Sequence, residues 1–179
     1  MIAIENDLEM VSIKKRNLNI FQDWKVNNAK KGRIIILLFR IAQLANVNRL
    51  LFIVLIPYSI LYKILVEWIF CIEIPYKLQV GQSFRLFHGQ GLVINDKTTF
   101  GNNCTVRHNT TIGNKSDNGN DCPQIGNNVD IGAHCCIIGK ILIGDNVIIG
   151  AGTIVTKNIP ANSVVVGNPA RIIRELPAN

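Results

Sequence analysis

Three histidines and five cysteines are the side chains of this 179-residue chain best suited to proton transfer, metal ligation or nucleophilic attack. His88 lies in LFHGQGLVIN and His108 in TVRHNTTIGN, twenty residues further on. An imidazole titrates near neutrality and so serves as general base, general acid or metal ligand. The third histidine, His134, stands in GAHCC. Cys71, Cys104, Cys122, Cys135 and Cys136 are odd in number and include no C-x-x-C pair. That pattern argues for a reducing compartment and against a disulfide framework.

What these residues can do depends on the elements that hold them. From Glu73 onward glycine becomes frequent, β-branched residues dominate and a six-residue period appears. Aliphatic residues fall at Ile125, Ile131, Ile137, Ile143, Ile149 and Val155. An earlier set runs Ile94, Phe100, Val106, Ile112, and a third Val80, Leu86, Leu92. Such a period predicts short strands separated by corners, three strands closing one coil and the coils stacking roughly 4.8 Å apart. Positions two apart share a strand face, so Cys104 and Cys135, each two residues before an aliphatic one, are expected inside as small core residues. His88 and His108 each follow an inward residue by two. Their spacing is one coil plus a two-residue slip, placed by the aliphatic spacing between Leu92 and Ile94. The pair is therefore expected on one edge of the prism in neighbouring coils. His134 comes three residues after Ile131 and is read as out of phase with them. The polar stretch NKSDNGNDCP, 114–123, exceeds what a coil needs and must be extruded as a loop, a common place for a binding site.

Residues 1–72 read as a helical region, with Pro57 starting or kinking a helix, and 73–179 as the solenoid with its loop and C-terminal tail. The net charge is +7, and +5 of it falls in residues 1–79. Lys14-Lys15-Arg16 and Lys30-Lys31-Gly32-Arg33 concentrate it beside apolar segments. Attraction to acidic lipid or a phosphorylated ligand and a merely solvated basic face both fit this pattern. No zinc finger, RNP motif or basic heptad points to nucleic acid. No signal peptide is expected, since the first strongly apolar run begins near residue 34. The apolar run Leu50–Leu61 is shorter than the roughly 18–20 residues of a membrane span, which favours buried or interfacial helices.

Residues 67–176 resemble the serine acetyltransferase family of hexapeptide-repeat acyltransferases, and still more its relatives of the colanic acid biosynthesis type that O-acetylate exopolysaccharides. The matching stretches are VEWIFCIEIP, FHGQGLVIN, TVRHNTTIGN, DCPQIGNNVDIGA, IIGAGTIVTKNIP and VVVGNPARI. The resemblance implies a mainly β fold, a left-handed parallel β-helix with an N-terminal helical region. The left hand comes from the resemblance alone, because the usual crossover is right-handed. It implies an acetyl-CoA-dependent O-acetyltransferase acting as a homotrimer with sites between subunits; the cytoplasmic location expected for it follows from the cysteine usage and the lack of a signal peptide. His88 stands where the family has its general base and Glu73 where it has an acidic residue that orients the base. Gly132, Ala133, Gly150, Ala151 and Gly152 would line the path of the pantetheine arm, and Lys157 and Arg171 would meet the phosphates. Direct transfer needs no cysteine nucleophile and no metal.

The departures bear on the acceptor. Serine-specific members carry an aspartate just before the catalytic histidine and a second histidine in the extruded loop. Here those positions hold Phe87 and Cys122. Neither offers charge to an amino acid zwitterion, so a sugar hydroxyl is the expected acceptor, with His108 and the 114–123 loop, Asn114 and Cys122 among its residues, shaping its site. A surface-polysaccharide precursor or lipid-linked sugar would also suit a basic, apolar N-terminal region working at the inner membrane face. Three other readings stand beside this one. They are a serine O-acetyltransferase of cysteine synthesis, a zinc enzyme of the carbonic anhydrase type needing three convergent imidazoles, and a non-catalytic scaffold.

Overall fold

Six is an even number, so aliphatic residues six apart stay on one side of an extended chain, while the residues between them turn the corners. At four successive coils the turning residue is an asparagine, Asn103, Asn128, Asn146 and Asn162, each with φ between +56° and +59°. Asparagine tolerates this left-handed backbone better than other residues with a side chain, glycine apart. The four amides also bond along the corner, Asn103 Nδ2 to Asn128 Oδ1 (2.9 Å), Asn128 to Asn146 (2.9 Å) and Asn146 to Asn162 (2.8 Å).

The computed structural model describes residues 20–27, 29–115 and 121–177. The basic run Lys14-Lys15-Arg16 and the middle of the 114–123 loop lie outside the described residues. The helical region contains α1 (described over 20–26), α2 (Lys30–Gln43), a 3-10 turn (Leu44–Asn46), α3 (Arg49–Val54), α4 (Ile56–Tyr62) and a π-helical stretch (Lys63–Ile69). Pro57 sits in the first turn of α4, where its missing N–H costs nothing. The strands are β1 (Ile72–Glu73), β2 (Gln79–Val80), β3 (Arg85–Phe87), β4 (Leu92–Ile94), β5 (Thr99–Phe100), β6 (Thr105–Arg107), β7 (Thr111–Gly113), β8 (Gln124–Ile125), β9 (Asp130–Ile131), β10 (Cys136–Ile138), β11 (Leu142–Ile143), β12 (Ile148–Ile149), β13 (Ile154–Val155), β14 (Ser163–Val166) and β15 (Arg171–Glu175).

These strands form a parallel β-solenoid with three faces. Sheet A runs β1-β4-β7-β10-β13, sheet B runs β2-β5-β8-β11, and sheet C runs β3-β6-β9-β12-β14 with β15 added antiparallel. Leu86, Leu92, Val106, Ile112, Ile131, Ile137, Ile149 and Val155 fill the interior. Cys104 and Cys135 are buried among them as their spacing predicts. Burial pushes the Cys104 thiol up to about 11 and raises Cys135 as well, which makes both poor nucleophiles.

The register locates the interruptions. Ile94 pairs with Ile112, eighteen residues on, but Ile112 pairs with Ile137, twenty-five on. The excess of seven residues is the loop after β7. The two-residue slip lies earlier than the aliphatic spacing put it. Phe87 pairs with Arg107 and Val93 with Thr111, so five residues (88–92) turn the corner where three (108–110) do so one coil on. The extra residues therefore belong to the turn that carries His88.

A solenoid exposes an unpaired edge at its first coil, a liability that needs covering. The helical region covers it with side chains in place of a strand. Asn27 donates to the Phe84 carbonyl (2.8 Å) and accepts from the Leu86 N–H (2.9 Å). Asp23 accepts from the Phe84 N–H (2.8 Å) and from Arg40 Nε (2.6 Å). Arg40 donates on to the carbonyls of Val80 and Gly81, and Gln43 to that of Leu78. Gly32 lets α2 lie directly on β3, since a Cβ there would overlap the Leu86 carbonyl oxygen. Gly32→Ala is expected to destabilise the chain by about 1–3 kcal/mol through this overpacking, read as a lower urea midpoint at unchanged slope.

Candidate active site

The corner between sheets C and A gathers most of the residues singled out in the sequence. It carries residues 88–91 between β3 and β4, 108–110 between β6 and β7, 132–135 between β9 and β10, and 150–153 between β12 and β13. His88, His108, Gly132, Ala133, Gly150, Ala151 and Gly152 thus stand along one edge of the prism. His88 is exposed and has φ +67° in a turn where Gly89 and Gly91 are also left-handed. A histidine held in this sparsely populated backbone region is a reason to look for function.

The imidazoles form a column. His88 and His108 meet edge to face with centroids 5.7 Å apart, and His108 and His134 do the same at 5.3 Å. His134 thus joins the column through its ring although its backbone position is, as its spacing predicts, out of phase with His108. It occupies the left-handed corner position of Asn109 one coil on, with φ +59°, and its ring leans back toward His108. The rings follow one another along the edge and do not converge on a point. Among the described residues no group of three or more His, Cys, Asp or Glu side chains is placed to hold a metal ion. His108 Nδ1 is buried and, among the described residues, has no hydrogen-bond partner. Among the described residues the ring nitrogens of His88 are also unbonded, which leaves them free for a hydroxyl at this edge.

Beside this column runs a second one that the sequence reading did not pick out. Phe87 carries the Arg107 guanidinium 5.5 Å from its ring centre, and Arg107 is paired in turn with Asp130 and bonded to the Ile131 carbonyl (3.0 Å). The twenty-residue offset of this coil was the available signal, since it sets Phe87 opposite Arg107. The helical region also reaches the turn. Gln90, with its amide oriented to satisfy both neighbours, donates to the His88 carbonyl (3.0 Å) and accepts from Lys31 Nζ (2.5 Å). Lys31 lies over the Phe70 ring at 5.5 Å.

The glycines of the edge set its width. A Cβ at Gly132 would press on the backbone of Gly150 and Ala151 in the next coil. Their amides are already used within the solenoid: Gly132 N–H bonds Ile149 O, Gly150 N–H bonds Val165 O and Gly152 N–H bonds Ala133 O. These residues thus offer a long ligand a low wall more than a set of free donors. Gly152 faces open space. Lys157 and Arg171 share a groove of about 320 Å3 at the C-terminal end of the solenoid with Asn158 and Pro169.

Three expected residues lie elsewhere. Glu73, opposite Val93 in sheet A, faces a groove of about 340 Å3 with Tyr62, Lys63, Glu67, Tyr76 and Lys77. Among the described residues no hydrogen bond joins it to His88. Burial raises the Glu67 carboxyl in the same groove; Lys63 opposes the shift and Glu73 adds to it. Asn114 and Cys122 stand at the corner between sheets A and B, where Asn114 accepts from Asn95 (3.0 Å). Cys122 lines a groove of about 310 Å3 with Gln124, Lys140 and Asn158. Burial raises its thiol, which disfavours a nucleophilic role.

No family model matches the chain. WcaB of Escherichia coli strain K12, named as a colanic acid biosynthesis acetyltransferase, is 39% identical over 116 residues, covering 65% of this chain and 72% of its own. Serine acetyltransferase 2 of Arabidopsis thaliana is 37% identical over 107 residues, 59% of this chain but only 33% of that enzyme. Among solved structures, Neisseria gonorrhoeae serine acetyltransferase superposes with a TM-score of 0.76 at 26% identity, covering 93% of this chain and 69% of its own. A serine acetyltransferase in complex with CoA superposes at 0.64 and 26% identity over 82% of this chain and 58% of its own. The match to WcaB over most of its length, carried on the same solenoid, makes this chain a member of the hexapeptide-repeat acetyltransferase family that joins WcaB to the serine acetyltransferases.

Proposed function

We propose that the chain transfers the acetyl group of acetyl-CoA directly to a hydroxyl of a sugar in a surface-polysaccharide precursor. His88 takes the proton of the acceptor hydroxyl as its oxygen attacks the thioester carbonyl. The oxyanion collapses, the C–S bond breaks, and the leaving thiolate recovers the proton from the imidazolium. The products are an acetyl ester and free CoA. Glu73, on the strand paired with the one that follows the His88 turn but, among the described residues, not bonded to His88, is the carboxylate assigned to orient the base through the family resemblance. The donor lies along the C–A edge past Gly132-Ala133 and Gly150-Ala151-Gly152, with its phosphates toward Lys157 and Arg171. Homologues named as acetyltransferases, and a structural neighbour holding CoA, support acetyl-CoA as donor.

The observation that carries the choice of acceptor is the surface beside His88. Phe87 presents an apolar ring, and the cation above it is already neutralised by Asp130. An amino acid zwitterion finds no free charge in that column, whereas a sugar ring can lie on an aromatic face. His108, Asn114 and Cys122 complete the acceptor site. Asn114 and Cys122 stand at a different corner from His88 within one copy, which favours a homotrimer in which a neighbouring copy supplies the loop. The enzyme works in the cytoplasm at the inner face of the membrane, where lipid-linked acceptors are presented. The serine-acetyltransferase relatives keep a second reading in view, O-acetylation of serine. Free-thiol release from acetyl-CoA with L-serine, sugar nucleotides and lipid-linked saccharides decides between them. Turnover with a saccharide at least about 100-fold above that with serine is expected, of the order that unmatched polar groups impose. Robust turnover with serine would replace the sugar by serine.

A further inference from the structure

The helical stretch from Arg49 to Ile69 is apolar on both sides. One side, with Tyr58, Tyr62 and Val66, faces the protein: Tyr58 donates to the Leu38 carbonyl (2.9 Å) and Tyr62 to that of Ile74 (2.7 Å). The other side faces outward and carries Leu50, Ile53, Ile60, Ile64 and Trp68 at spacings of three to seven residues, all between 41% and 71% exposed. Among the described residues, ten of the eighteen exposed large hydrophobic side chains fall between 50 and 69. A helix hydrophobic all round is normally covered on all sides, and an apolar patch this concentrated marks a contact surface.

The charge around it selects what covers it. Between Asp23 and Glu67 the chain has no acidic residue but seven basic ones, Lys25, Lys30, Lys31, Arg33, Arg40, Arg49 and Lys63. Arg40 is consumed by Asp23 and Lys63, though exposed, has Glu67 3.9 Å away, but Lys25, Lys30 and Arg49 are exposed. A second copy of the chain packed on this face would bring like charges together. An anionic bilayer surface would receive the cations at its headgroups and the apolar side chains below them. Trp68, the most exposed aromatic residue at 71%, suits the boundary between headgroups and acyl chains. No helix among the described residues is long and apolar enough to cross a membrane.

We infer that the outer face of residues 49–69 is a docking surface for anionic lipid, on which the chain lies without spanning. This gives the membrane-face element of the function proposed above a physical surface, and it can be tested without any acetyl transfer. The purified full chain is floated with phosphatidylcholine vesicles, with and without phosphatidylglycerol. Binding is expected only with phosphatidylglycerol, weakening at least tenfold when salt screens the headgroups, on the order expected for losing several cation contacts. Ile60→Asp with Ile64→Asp should abolish it. Should that pair fail to fold, Arg49→Glu with Lys63→Glu, confined to exposed charges, should still cut binding about tenfold. Wild-type protein left in the aqueous fraction with phosphatidylglycerol vesicles at low salt overturns the inference. So does a sedimentation result in which either pair breaks up an oligomer and leaves lipid binding unchanged. A chain that floats but transfers no acetyl group would sink the enzymatic proposal and leave this one standing.

Discussion

His88→Asn is expected to lower acetyl transfer by about 10²–10⁴-fold with the fold retained, the range for loss of a general base. Asparagine is the informative replacement because the backbone at residue 88 has φ +67°. Asn enters that region readily, as Asn103, Asn109, Asn128, Asn146 and Asn162 do at other corners of this solenoid, so the variant removes the imidazole without forcing the turn. His88 is exposed and its ring makes no hydrogen bond among the described residues, so little stability rests on it. Thiol release from acetyl-CoA with the best acceptor reads the activity, and a thermal melt reads the fold. A variant that keeps its melt and more than a tenth of wild-type turnover would remove His88 from the base role. The proposal would then pass to His108, next in the column.

The parts of this site that could be read from sequence are those set by local repetition. Leu86 and Val106 mark the same inward position in two coils, and that alone brought His88 and His108 to one edge. Small or β-branched residues two before the aliphatic ones repeat with the coil, so Cys104 and Cys135 were also legible as core. The contact of the His134 ring with His108 was not, because counting from Ile131 locates its Cα but not the direction in which a left-handed corner throws its side chain. The position of the slip was misplaced for a related reason. Leu92 and Ile94 both point inward, so the aliphatic series cannot tell on which side of Leu92 the extra residues lie. Contacts between the helices and the first coil were beyond reach. Asp23 and Asn27 bond residues 57–61 positions away, and no period links them.

Those contacts lead to the largest expected effect on stability. Arg40→Met should cost about 3–5 kcal/mol, the range for stranding one member of a buried ion pair. Arg40 and Asp23 side chains are only 3% and 1% exposed. The same substitution also orphans the carbonyls of Val80 and Gly81 at the uncovered edge of the first coil. Two mechanisms, a buried charge and lost backbone acceptor partners, therefore contribute, and pH separates them. Burial already raises Asp23 above its ordinary value of 3.8, against the opposing pull of Arg40 and of the Phe84 and Ser83 backbone donors. Removing the guanidinium takes away the largest opposing influence and raises it further. A carboxyl whose folded value lies above its unfolded one binds more protons when folded, so its contribution falls as pH rises through the folded value. The Arg40→Met deficit should accordingly be largest near pH 7 and shrink on acidification toward the ordinary carboxylate range. Adding Asp23→Asn, which keeps an oxygen for the Phe84 N–H but carries no charge, should recover part of the loss at pH 7 and abolish its pH dependence. Urea melts of the four proteins of this cycle at two pH values provide the measurement. A deficit of equal size at both, unrelieved by Asp23→Asn, would mean that the exposed carbonyls of the first coil, and not the stranded carboxylate, make the helical cap indispensable.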